Sequence, residues 1–136
     1  MTFEKLVKLK IVIYTIIMEY INNIIEYYDE LYTVTASQKK LFEDLTKNYL
    51  PAKVLRVGCG TGSLEHWLSK NGHDVTGIET NQEMLETANR RRRFPNMALR
   101  FFQMSSLEMV RFLGKGFYNV ISCLNNELIF RNDEIL

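Results

Sequence analysis

The chain is short of the residues that staple, break or steer a protein. It has two cysteines, Cys59 and Cys123, without zinc-type spacing, and no basic start leading into an apolar core and a small-residue cleavage site. Reduced thiols and a cytoplasmic location are therefore expected. Lysine and arginine total 17 against 16 acidic residues, so no global field draws the chain toward nucleic acid or an anionic membrane. The nearest approach to a membrane span, residues 11–25, is broken by Glu19, Asn22 and Asn23 well before about 20 apolar residues accumulate. No membrane partner is expected. Repeats and low-complexity linkers are also lacking.

What is present suits one globular domain. With 136 residues, 46% of them hydrophobic, the chain can bury about two-thirds of its unfolded surface. Leu6, Leu9, Ile13, Ile16, Ile17, Tyr20, Ile21, Ile24 and Tyr28 recur at three- and four-residue steps, which predicts an amphipathic helix whose stripe serves core packing or a dimer contact. A second helical stretch, SQKKLFEDLTKNYL, runs to Pro51. Residues 1–50 thus read as a helical arm and cap, and residues 51–136 as a core.

Within the core, KVLRVG, HDVTGIE, ALRFFQM and FYNVISCL read as strands. Between them SLEHWLSKN, TNQEMLETANRRRR and SSLEMVRFL read as helices, the second opened by Thr80 as a capping residue three before Glu83. Strands alternating with helices at this pitch predict an α/β, Rossmann-like, mostly parallel sheet with helices on both faces.

Between the first strand and its helix stand Gly58, Gly60 and Gly62, where backbone must approach a ligand that side chains would obstruct. Nineteen residues beyond Gly60, at the end of the second strand, Glu79 can accept both hydroxyls of a ribose. Together they point to a nucleoside-containing cofactor. A dinucleotide fingerprint would place a glycine or alanine at position 63, which is Ser63 here. The run Arg90 to Arg93 sweeps about 300° of a last helical turn, so it reads as a solvated, dipole-favoured end rather than a nucleic-acid stripe. His66 and His73 read as structural, the latter in a surface turn.

At VLRVGCGTGSL and VTGIETNQEML the chain resembles the class I S-adenosylmethionine-dependent methyltransferases, with looser similarity at YYDELY, FFQMSSL and FYNVISCLNNEL. The resemblance implies S-adenosylmethionine as cofactor and a small-molecule methyl acceptor. Carried over by position, it implies close backbone at Gly58, Cys59 and Gly60, and ribose binding at Glu79. Thr80 and Met84 would border the adenine, with Met104 and Ser105 on its other side, and Tyr32 would cover the cofactor. Asn125 and Asn126, after the fourth strand, would face the acceptor. Metal is not implied, and no catalytic base is identified.

Three positions depart from the family pattern, which carries acids at the places of Arg56 and Tyr118 and often an Asp or Asn at that of Ser105. Arg56 matters most, because a cation there would repel the cofactor's ammonium and sulfonium unless it turned elsewhere. Weak cofactor binding or none is the consequence expected. The family adds three more strands, so the resemblance implies a core truncated after the fourth, with strand order 3-2-1-4 and an exposed edge that invites a homo-oligomer or another partner. Two alternatives stay open: a non-catalytic cofactor-binding or oligomerisation module derived from such an enzyme, and a nucleotide-dependent oxidoreductase.

Overall fold

The computed structural model describes residues 1–124. They divide into two compact units, Met1–Tyr32 and a second that begins at Thr33.

The first unit is one long helix, α1 (Phe3–Leu31), opened by Thr2, whose side chain accepts a hydrogen bond from the Lys5 N–H. Its last turn carries no basic residue, and Tyr32 closes it. The Tyr32 ring packs at a tilt against that of Tyr28, with centroids 4.7 Å apart.

The second unit opens with α2 (Ala36–Thr46). Thr35 and Gln38 form a reciprocal cap at its start. The helix stops short of Pro51, which the sequence alone suggested as its end. Then come β1 (Lys53–Val57), α3 (Ser63–Lys70), β2 (Asp74–Glu79), α4 (Gln82–Arg92), β3 (Leu99–Gln103), α5 (Met109–Leu113) and β4 (Val120–Cys123). The strands form a parallel sheet in the order β3-β2-β1-β4, as expected. Right-handed crossovers through helices account for that order.

Alternation along the strands sorts the core into two faces. Val54 and Val75 look toward α3 and α4, where Leu64, Leu68, Ala88 and Phe42 of α2 pack on them. Leu55, Val57 and Ile78 look the other way and are covered by Met109 and Leu113 of α5. Among the described residues β4 pairs only with β1, and its Ile121 is exposed.

Candidate functional site

The glycine loop leaves β1 at the carboxyl end of the sheet, the end at which open α/β sheets bind ligands. Gly58 and Cys59 both donate their N–H groups to the Ile78 carbonyl, at 2.9 and 3.0 Å. That pins the loop to the last residues of β2. Gly58, Gly60 and Gly62 all have positive φ, a region that glycine enters without strain. At Gly62 a second constraint applies: a Cβ would stand 2.5 Å from the Phe101 ring. Gly77 is similarly obligatory, since a Cβ there would meet Phe101 at 2.8 Å and the Cys59 Cβ at 2.9 Å. Cys59 thus sits over a gap in β2 as a small filler. Burial pushes its thiol well above the ordinary range, and the carboxylates of Glu65 and Glu79 push it further. It is no nucleophile at neutral pH.

Glu79, 9% exposed, ends β2 and turns its carboxylate back to the loop. Oε1 accepts the Gly60 N–H at 3.2 Å, and Oε2 accepts the Asn81 N–H at 3.0 Å. The backbone carbonyl of Glu79 accepts the Met104 N–H at 3.1 Å, and Gln103 donates to the Thr80 carbonyl. These bonds gather Gly60, Glu79, Thr80 and Met104 around one strand end. Met84 stands in the first turn of α4, its N–H bonded to Asn81 Oδ1. The helix cap is therefore Asn81 rather than Thr80, because Thr80 still follows the strand and its hydroxyl lies toward Glu79 Oε2 at 3.5 Å. Ser105 follows β3 and donates its N–H to Glu108 Oε2. Met104 packs in the core face with Leu55, Val57 and Ile78. Tyr32 belongs to the first unit, and Asn125 and Asn126 lie outside the described residues.

Arg56, in β1 just before the loop, turns toward protein partners of its own rather than standing as a free cation beside the cofactor. Its guanidinium, on a side chain only 4% exposed, donates from Nε to Glu65 Oε1 at 2.9 Å. Its Nη1 donates to the Ser122 hydroxyl at 3.1 Å and carbonyl at 3.3 Å. Glu65 lies in the first turn of α3, where a carboxylate also favours the helix dipole. Burial pushes the Glu65 carboxyl up from its ordinary range, and the Arg56 charge opposes that shift. The cation expected to repel a cofactor is thus neutralised beneath the loop.

Two further side chains depart from expectation. Arg92 is not a solvated helix end: its Nε donates to the Thr61 carbonyl and its Nη2 to the Ser63 hydroxyl, tying the end of α4 to the glycine loop. His73 is not in a surface turn but buried, with Nδ1 accepting the Ala52 N–H at 3.1 Å, and burial lowers its pKa. His66 Nδ1 lies 3.2 Å from the Arg92 carbonyl, and its ring meets Phe94 edge-on. Both histidines border an open apolar cleft with Phe94, Met97 and Ala98. Since His73 and Ala98 immediately precede β2 and β3, this cleft opens at the amino end of the sheet, away from Glu79.

Sequence reasoning missed Glu65, Asn81 and Arg92 as supports of the loop. Asn81 carried a signal, being a capping residue three before Met84. Glu65 and Arg92 carried none, because their partners are set by how α3 and α4 pack.

Comparison with known proteins agrees with this geometry. The Methyltransferase domain family matches residues 54–135. Over 72 residues, 53% of this chain, the ubiquinone biosynthesis O-methyltransferase of Pectobacterium carotovorum is 33% identical and that of Vibrio parahaemolyticus 36% identical. The match spans less than a third of the length of these curated relatives. Among solved structures, magnesium protoporphyrin IX methyltransferase from Synechocystis PCC 6803, with bound S-adenosylmethionine, is 25% identical with a TM-score of 0.59, over 89% of this chain and 65% of that one. Sheet order, glycine loop, strand-end glutamate and a family match over more than half of the residues converge: the chain belongs to the class I S-adenosylmethionine-dependent methyltransferases.

Proposed function

We propose that this chain forms the cofactor-binding part of a methyltransferase that uses S-adenosylmethionine and acts on a small-molecule acceptor. The observation that carries the reading is the Glu79 carboxylate fixed by the Gly60 and Asn81 N–H groups. A carboxylate has roughly four lone-pair positions; two are used by backbone, and a third is met only by the long 3.5 Å contact from the rotatable Thr80 hydroxyl, which a ligand hydroxyl can replace. That position and the remaining one suit the vicinal hydroxyls of a ribose, so the residues present fit the group. When bound, the cofactor supplies an electrophilic methyl on a sulfonium. The chain's own part is to hold and orient it.

In this reading Gly58, Cys59 and Gly60 offer bare or nearly bare backbone to the methionine end. Glu79 takes the ribose, Thr80 and Met84 border the adenine, and Met104 and Ser105 flank it from the end of β3. The Arg56–Glu65 pairing supports this assignment, since a neutralised guanidinium no longer opposes a cationic ligand. We further read the protein as cytoplasmic, with a homo-oligomeric contact or another partner against the edge of β4 that is unpaired among the described residues.

A second reading, cofactor binding without turnover, is favoured by one observation. Neither histidine is at the glycine loop, and Glu65 and Glu79 are both engaged. Calorimetric titration with S-adenosylmethionine and its demethylated product tests both readings. Wild type should bind both ligands, and Glu79→Ala should bind them about ten- to a hundredfold more weakly, as expected for loss of charge-assisted hydrogen bonds. Binding without methyl transfer to any of a panel of small acceptors would select the second reading. A thermal melt unmoved by saturating ligand would sink both.

A further inference from the structure

The apolar seam of α1 has no counterpart within its own unit, which is a single helix. Leu6, Leu9, Ile13, Ile16 and Tyr20 follow alternating steps of three and four residues, the a/d spacing of a coiled coil, and they are between 41% and 65% exposed. Asn23 and Tyr27 continue the pattern. No helix among the described residues is long and apolar enough to cross a membrane, so a bilayer span does not account for the seam.

The charges on this helix run against its own dipole. Lys5, Lys8 and Lys10 occupy the amino-terminal third, where cations are disfavoured, and only Glu4 stands among them, bonded to Lys8 at 2.7 Å. From Ile11 to Tyr32 there is no lysine or arginine, while Glu19, Glu26, Asp29 and Glu30 gather toward the carboxyl end. An antiparallel neighbour of the same sequence corrects both ends at once. It lays basic against acidic segments and opposes the two helix dipoles. A parallel pair does the reverse: with Leu6 at an a position, Lys5 takes g and Lys10 takes e, and parallel g and e′ residues face each other. Lysine would then oppose lysine. In the antiparallel arrangement g faces g′, which sets Lys5 of one helix opposite Glu26 of the other.

We propose that α1 is a self-association element that pairs antiparallel with α1 of a second copy of this chain, through Leu9, Ile13 and Ile16, with Lys5 and Glu26 fixing the direction. This rests on α1 alone and stands or falls separately from the cofactor reading.

Sedimentation equilibrium of the full chain across about 5–200 μM tests it. Wild type should be a dimer. Ile13→Asp/Ile16→Asp should be monomeric, with the urea unfolding transition of the second unit unchanged. Lys5→Glu should weaken the dimer about tenfold, since symmetry places the repulsion twice, and Lys5→Glu/Glu26→Lys should restore it to within about twofold. The restoring variant separates a lost contact from a misfolded helix. Four results overturn the proposal: a wild-type monomer, including one that binds anionic vesicles instead; a dimer that survives the double aspartate; a dimer indifferent to Lys5→Glu; or failure of the double charge exchange to restore association.

Discussion

Two buried glutamates lie near the same glycine loop, and they are held in different ways. Glu65, 1% exposed, faces a guanidinium that is itself buried and bound to Ser122. Glu79, at the end of β2, is held instead by backbone N–H groups from Gly60 and Asn81. The first arrangement is closed: charge meets charge, and the guanidinium's donors turn to Ser122. The second holds a carboxylate in a fixed orientation while leaving acceptor capacity at the carboxyl end of the sheet. A buried acid paired with a cation holds the fold together, whereas a buried acid held by backbone remains able to receive a ligand.

The contrast breaks most visibly at Arg56. Arg56→Met leaves Glu65 buried and uncompensated, so urea denaturation should show a loss of about 3–5 kcal/mol. Arg56→Met/Glu65→Leu should recover most of it, because replacing a whole buried pair with apolar side chains is often neutral or better. If the double variant is no more stable than the single, the pair is not a closed unit.

Glu79→Gln should cost less stability, about 1–3 kcal/mol, since at most one of two backbone donors keeps an acceptor. A loss as large as that of Arg56→Met would erase the distinction between the two acids.

Cys59 reads both carboxylates, which add to burial in raising its thiol pKa. Native protein should therefore resist thiol reagents at neutral pH at this residue, and the Cys59 thiolate should appear at lower pH in Glu65→Gln and in Glu79→Gln than in wild type. The check is reagent uptake against pH in a Cys123→Ser background. An unchanged profile in both variants would place the cysteine outside the influence of either acid.

The smallest effect belongs at the far end of the sheet. Burial lowers the pKa of His73 below its unfolded value, so the unfolded chain takes up its proton first. The stability due to neutral His73 is fully present above about pH 6.5, the unfolded pKa, and is lost as pH falls through the lower folded pKa. His73→Asn, which keeps an acceptor for the Ala52 N–H without titrating, should flatten that part of the stability profile. It should leave cofactor affinity unchanged, because the site lies at the other end of the strands.

Much of the fold was legible because it follows from local pattern. Runs such as KVLRVG and HDVTGIE show their strands, the separation of the strands by helices sets parallel crossovers, and Gly58, Gly60 and Gly62 reveal a loop that side chains would strain. Glu79 could be located because its distance from the loop is fixed by one helix and one strand. Arg56 could not be interpreted this way. In sequence it stands beside the loop as a misplaced cation, and its neutralisation depends on α3 bringing Glu65 across to meet it while β4 presents Ser122.

The sequence by itself determined roughly where the elements lie and the glycine-and-glutamate pattern of the candidate site, since these follow from periodicity and backbone freedom over a few residues, whereas the order of the strands was implied by the family resemblance alone. Only the tertiary structure decided which charges meet: Arg56 with Glu65, Arg92 with Thr61 and Ser63, and His73 with Ala52. Such pairings depend on distances of a few ångströms between elements far apart in the chain, and these are fixed when the helices pack on the sheet.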